Sequence, residues 1–366
     1  MGVRKAAPSL PESDRFEPAP HPRDTQVFYG HDTAESEFLD AYRAGRMHHA
    51  WIIGGSQGIG KATLAWRVAR FLAAHPDPNS PFVQKAANLA VDPMLPAARK
   101  ISAMSFGDLA LLRREWNEKT KKHATRITVD DARAAMHIFE QAAGEGGWRI
   151  ALVDSADDFN PNSANALLKL IEEPPPRSLF LIVAHQPGRI LPTIRSRCRK
   201  LMLQPLGPEA LANAVRAALE AAEEKVPEAE LFRACARAEG SVREALRLLS
   251  HADARFDEMI SRALDTLPNI DWALVHRIGD QIAGRERETE FDAFLQAVFA
   301  FLSQRLRRDA ALGPRALAPY ADAWEFLERE TREVEIFNLD RRAFALAVFG
   351  RLVEAARTAQ KESART

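Results

Sequence analysis

Apolar residues cluster unevenly along the chain. Ala50-Trp51-Ile52-Ile53, Arg149-Ile150-Ala151-Leu152-Val153 and Leu179-Phe180-Leu181-Ile182-Val183 are short, nearly continuous apolar runs. Such runs are the pattern of strands buried on both faces. Between them the period lengthens. Phe38, Leu39 and Tyr42 share one face of a predicted helix over residues 33–46. Leu64, Val68, Phe71 and Leu72 do the same over 62–74. A further helix is predicted over 162–173, stopped by Pro174-Pro175-Pro176. Buried strands alternating with helices predict an α/β domain with a parallel sheet covered on both faces. Residues 75–126 carry no clear period. After Pro205 strand signals end, and 208–249 reads as several helices. Residues 255–366 are helical again, most clearly over 291–306 and 342–356.

The ends differ from the middle. Residues 1–26 hold Pro8, Pro11, Pro18, Pro20 and Pro22 among charges and few apolar side chains. A segment that buries so little apolar surface is expected to remain a flexible tail. The predicted layout is that tail over 1–26, an α/β domain over 27–205, a helical lid over 206–252, and a helical domain over 253–366.

Composition narrows the function classes. The 366 residues are 46% hydrophobic and 27% charged, ordinary values for a globular chain. Fifty Lys and Arg balance fifty Asp and Glu. A protein that grips nucleic acid by itself usually carries a basic excess, because affinity comes from neutralising phosphates. Balance therefore points to local patches or to shared work in an assembly. Cys198 and Cys235 are the two cysteines, too few for a disulfide framework and without CxxC spacing. The first residues carry no apolar core after their basic residues, and Ala6 stands where a myristoylation signal wants Ser or Thr. No apolar run approaches the ~20 residues that cross a bilayer. A cytoplasmic protein with no membrane partner is expected.

Candidate chemistry begins at Gly55-Ser56-Gln57-Gly58-Ile59-Gly60-Lys61-Ala62, between a strand and a helix. It fits the phosphate-loop pattern G-x-x-x-x-G-K, except that Ala62 replaces the final Ser or Thr. Gly55, Gly58 and Gly60 let the backbone turn its N–H groups toward phosphate oxygens, the helix N-terminus adds a favourable field, and Lys61 reaches the outer phosphates. Alanine offers no oxygen to the magnesium that bridges those phosphates. Thr63, about 100° further round the helix, is a poor substitute for that ligand, though within reach of an inner phosphate. Asp154 ends the second strand as a metal-site carboxylate would, but Ser155 follows where a hydrolytic site carries Glu. The expectation is a degenerate site without independent ATP hydrolysis. Binding of ATP or ADP without hydrolysis, and no binding, both stay open. In isolation Asp154 also reads as a strand-end cap, and Pro192-Thr193-Ile194-Arg195-Ser196-Arg197-Cys198-Arg199 as a solvated basic turn.

In sequence order, several segments resemble the clamp-loader AAA+ proteins of bacterial DNA polymerase III. They are Phe28-Tyr29-Gly30-His31, His48-His49-Ala50-Trp51 leading into the phosphate loop, Ile127-Thr128-Val129-Asp130-Asp131-Ala132-Arg133, Asn165 through Pro175, Ser196-Arg197-Cys198, and Gly240-Ser241-Val242-Arg243. The resemblance implies a RecA-like AAA+ domain, a small helical lid, and a helical collar that joins a five-subunit ring. It implies tau/gamma and delta subunits as partners, with the sliding clamp and primed DNA engaged through the complex. It also implies that Arg197 projects into a neighbour's ATP site as a trans arginine finger. A planar, permanently charged guanidinium suits developing phosphoryl charge. Arg243 falls on the family's second sensor, toward a nucleotide's phosphates; a surface ion pair with Glu239 or Glu244 is the alternative.

The losses at Ala62 and Ser155 fit a subunit that donates an arginine outward better than they fit a motor subunit. The family's four-cysteine zinc module has no counterpart over 75–105, so neither zinc nor any other metal is expected, and His75 reads as a surface histidine. His185 occupies the first sensor's place with no assigned contact. Cys198 reads as a packing residue. The basic cluster over 113–126, interrupted by Glu115 and Glu118, reads as a solvated face. The competing readings are a self-sufficient P-loop ATPase or kinase, and a nucleic-acid-binding switch that uses nucleotide without hydrolysis.

Overall fold

The computed structural model describes residues 11–118, 121–140, 147–284, 287–309, 313–337 and 339–363. Its main sheet has five parallel strands: β1 (Ala50–Gly54), β2 (Leu109–Leu112), β5 (Arg149–Val153), β6 (Ser178–Ala184) and β7 (Arg199–Met202). They lie in the order β2-β5-β6-β1-β7, while β3 (Trp116–Asn117) and β4 (Lys122–His123) form a small antiparallel hairpin. Ile52 of β1 and Val153 of β5 both pair with Ile182, which places β6 at the centre. This parallel sheet with a glycine-rich loop after β1 is the α/β core that the sequence predicts.

Every residue of β1, β5 and β6 is buried. One face carries Trp51, Ile53 and Leu181 against Phe38 and Leu39 of helix Asp32–Arg43 and Leu64, Val68 and Phe71 of helix Lys61–Ala74. The other carries Ile52, Phe180 and Ile182 against Leu167 and Ile171 of helix Pro161–Glu172. Burying each such side chain stabilises the fold by roughly 1.5–3 kcal/mol. Helix starts follow capping chemistry. Asn160 accepts from the backbone N–H groups of Asn162 and Ser163, with Pro161 opening the helix. Thr128 and Asp131 form the reciprocal box that opens helix Val129–Met136.

Two compact units divide the chain, one through Leu246 and one from Arg247. Helices Pro208–Ala221 and Glu228–Arg237 belong to the first unit, and Val242–Leu249 spans the boundary. The second unit contains helices His251–Asp265, Trp272–Ile282, Glu288–Arg308, Pro314–Phe337 and Arg341–Ser363. Phe291, Phe294, Val298, Phe344, Phe349 and Leu352 fill its core. Arg247 and Asp257 form a buried ion pair of 2.7 Å within it.

The flexible tail expected over 1–26 needs correction. Residues 1–10 lie outside the described residues, but 11–26 are packed. His21 is 2% exposed. Its ring meets Trp66 edge-on at 5.9 Å, and Arg70 donates to the carbonyls of Arg23 and Thr25. Polar anchors hold this segment where apolar burial could not. Among the described residues no helix is long and apolar enough to cross a membrane.

Candidate functional site

All five strands of the main sheet end at one edge, where ligands of open parallel sheets bind. The phosphate loop leaves β1 there with Gly55, Gly58 and Gly60 at φ +142°, +77° and +103°. These are left-handed backbones that favour glycine. Gly60 N-caps helix Lys61–Ala74. His31, buried behind the loop, holds it in place. Its Nε2–H donates to the Ile59 carbonyl at 2.7 Å, which fixes the tautomer because a carbonyl only accepts. Burial holds His31 below the usual imidazole range.

Lys61 is buried, 3% exposed, and donates to the Ser56 carbonyl at 2.5 Å. Burial pushes its ammonium down to about 8, against the pull of Asp154 and Asp157. Asp154 follows β5 and donates its N–H to Leu112 of β2 at 2.8 Å. Burial, with the charges of Asp14 and Asp158 added, pushes its carboxyl up to about 7. Asp157 accepts from the backbone N–H groups of His185 and Gln186 at 2.6 and 2.8 Å, tying the end of β6 to this edge. Beside it, the His185 ring is driven down to about 4, chiefly by burial and by Lys61.

Ser241 and Val242 rest on the loop. Ser241 Oγ donates to the Gln57 carbonyl at 2.9 Å, and the Val242 N–H donates to Gly58 at 2.9 Å. A Cβ on Gly58 would meet Ser241 Oγ and, at 2.5 Å, Arg243 Cβ. The guanidinium of Arg243 lies 4.8 Å from the Phe16 ring centroid. The structure thus brings Gly55, Gly58, Gly60, Lys61, Asp154 and Arg243 to one edge. Thr63 sits half-buried one position past Ala62.

Arg197 stands apart from this group. It follows the short helix Pro192–Arg195 and is exposed, whereas Cys198 beside it is buried with its thiol pushed up to about 12. Arg197 pairs with Glu172 at 2.9 Å and donates to the Thr193 carbonyl at 3.0 Å.

A family described as "DNA polymerase III, delta subunit" matches residues 30–207. DNA polymerase III subunit delta' of Pseudomonas aeruginosa is 35% identical over 150 residues, 41% of each chain. Residues 30–207, just under half of the chain, are similar to that family. The delta' subunit of Escherichia coli is 30% identical over 169 residues, 46% of each chain. The tau subunit of Escherichia coli is 30% identical over 219 residues, 59% of this chain and 31% of tau. The matched stretches span less than half the length of each of these relatives.

At this edge of the sheet the residues fit a polyphosphate better than a metal. Three glycines, Lys61 and Arg243 supply donors and positive charge. Ala62 supplies no oxygen where a magnesium ligand belongs. Among the described residues no group of three or more His, Cys, Asp or Glu is placed to hold a metal ion.

The sequence left several neighbours of the site unassigned. Asp14 and Phe16 sit in a segment read as a tail. His31 was legible only as part of a motif. Arg113, taken with the solvated cluster, pairs with Asp14 and Glu12 at 2.5 and 2.8 Å, and Arg114 pairs with Asp158 at 3.3 Å. Lys121, Lys122 and Arg126 are exposed, and Lys119 of that cluster lies outside the described residues.

Proposed function

We propose that the chain is a delta-prime-type subunit of a DNA polymerase III clamp loader. It works in the cytoplasm, in a hetero-pentamer with tau/gamma and delta subunits, and helps place the sliding clamp on primed DNA. It hydrolyses no ATP by itself. Its contribution to chemistry is Arg197, offered to the ATP site of a neighbouring motor subunit.

One contrast carries this reading. The chain's own phosphate site lacks the hydroxyl at Ala62 of the loop and a carboxylate at Ser155 after β5, while an arginine is exposed on a turn after the central strand. A guanidinium gives nothing to its own empty chemistry there. Delivered to a neighbour, it stabilises charge that develops on the transferring phosphoryl group without losing a proton. Exposure of Arg197 makes that delivery possible, and its surface pair is weak enough to exchange. Nucleotide at the chain's own loop is not required for this role.

The reading is tested by magnesium-dependent ATP turnover of the isolated chain, paired with capture by tau/gamma and delta. Turnover at background together with stable co-purification is expected. Robust turnover by the lone chain would favour the self-sufficient ATPase instead.

A further inference from the structure

We propose that residues 12–23 are an intrachain strap across the mouth of the phosphate site, and that the strap competes there with a nucleoside di- or triphosphate. The inference concerns the chain alone and holds whether or not it joins a loader.

The strap is anchored along the outside of helix Lys61–Ala74. Arg70 holds the Arg23 and Thr25 carbonyls, the latter at 2.6 Å. Arg67 donates to the Gln26 carbonyl at 2.8 Å. His21 packs on Trp66. From there the chain runs over the carboxyl edge of the sheet. Glu12 grips Arg23 through both oxygens at 2.6 and 2.9 Å, and Arg113 at 2.8 Å. Asp14, with its side chain 1% exposed, reaches Arg113 at 2.5 Å and His21 at 3.1 Å. Two residues on, Phe16 meets the guanidinium of Arg243.

These contacts fix where the strap lies. Arg113 directly follows β2, which pairs with β5 up to Leu112 and Val153, so it stands beside Asp154. Arg243 sits against Gly58. The step from Asp14 to Phe16 therefore spans from the strand-end carboxylate to the glycine loop. The buried Asp14 charge is felt at Asp154, one of the reasons that carboxyl is raised. The strap gives a carboxylate to one cation of this edge and an aromatic face to another. Phosphate oxygens would make the same demands on the same cations. On this account the strap keeps nucleotide out, and the hydroxyl lost at Ala62 removes only the metal ligand.

The test is binding of a fluorescent nucleoside diphosphate, mant-ADP, to full-length protein at fixed salt. The wild type is compared with the double variant Asp14→Ala/Phe16→Ala, with thermal melting as the check on folding. The double variant is expected to bind about tenfold or more tightly than the wild type. Phe16→Ala alone keeps every ion pair of the strap and should give a smaller gain in the same direction. Adding Lys61→Ala to the double variant should abolish the gain. Equal affinity in wild type and both strap variants, including no binding by any of them, would overturn the proposal. So would a gain that survives Lys61→Ala, because the nucleotide would then be binding elsewhere.

Discussion

Arg197 and Glu172 face each other across 2.9 Å at the protein surface, each side chain about two-fifths exposed. An exposed pair of this kind contributes about 0–1 kcal/mol. It parks the guanidinium and does not lock it. Glu172→Ala is therefore expected to leave thermal stability within about 0.5 kcal/mol of wild type. ATP turnover of a reconstituted loader should be unchanged or raised, since Arg197 no longer has to leave a partner. A fall in turnover without loss of assembly would show that Glu172 positions the arginine.

Asp154 sets a pH dependence. Its carboxyl titrates at about 7 in the folded protein against an ordinary 3.8. Between those values the folded form holds more protons than the unfolded one, so stability falls as pH rises from about 4 to 7. Above 7 the cost is fully present. Asp154→Asn removes it, and the variant should melt a few degrees above wild type at pH 8, with the gap narrowing toward pH 5. Lys61 acts in a different window. Its pKa is lowered to about 8 from 10.5, so its cost is full below 8 and is relieved as pH rises to about 10.5. Melting curves across pH 5–10 separate the two groups.

Gly58 is the contact point of the phosphate loop with residues 241–243. With φ at +77° and Arg243 Cβ only 2.5 Å from where a Cβ would stand, Gly58→Ala combines backbone strain with a clash. It should cost about 1–3 kcal/mol, seen as a lower melting temperature. Faster amide exchange is expected at Val242, whose N–H bonds the Gly58 carbonyl. Gly107→Ala, where a Cβ meets open space, is the control and should change little.

The sequence reading reached the strands buried on both faces and missed the edges. β1, β5 and β6 are legible because buried parallel strands are continuously apolar. β7 reads Arg-Lys-Leu-Met with only Leu201 buried, so its polar pattern carries no such signal. β2 is a four-residue run in a stretch without period. The phosphate loop was legible because its backbone demands glycines at fixed spacing. The segment over 11–26 was misread for a physical reason. Composition predicts disorder from a shortage of apolar area, but this segment is held by ion pairs to Arg113, about a hundred residues away in sequence. No local pattern reveals such pairing. Ser241 on Gln57, likewise, is a contact between distant segments.

The most direct test of the account is DNA-stimulated ATP turnover of a reconstituted loader carrying Arg197→Ala in this subunit. A trans arginine is worth a factor of about 10³ or more at the site it serves. Turnover at that neighbouring site should therefore be lost while the complex assembles normally, and Arg197→Lys should not restore it. Wild-type turnover by an intact complex with Arg197→Ala would contradict the account.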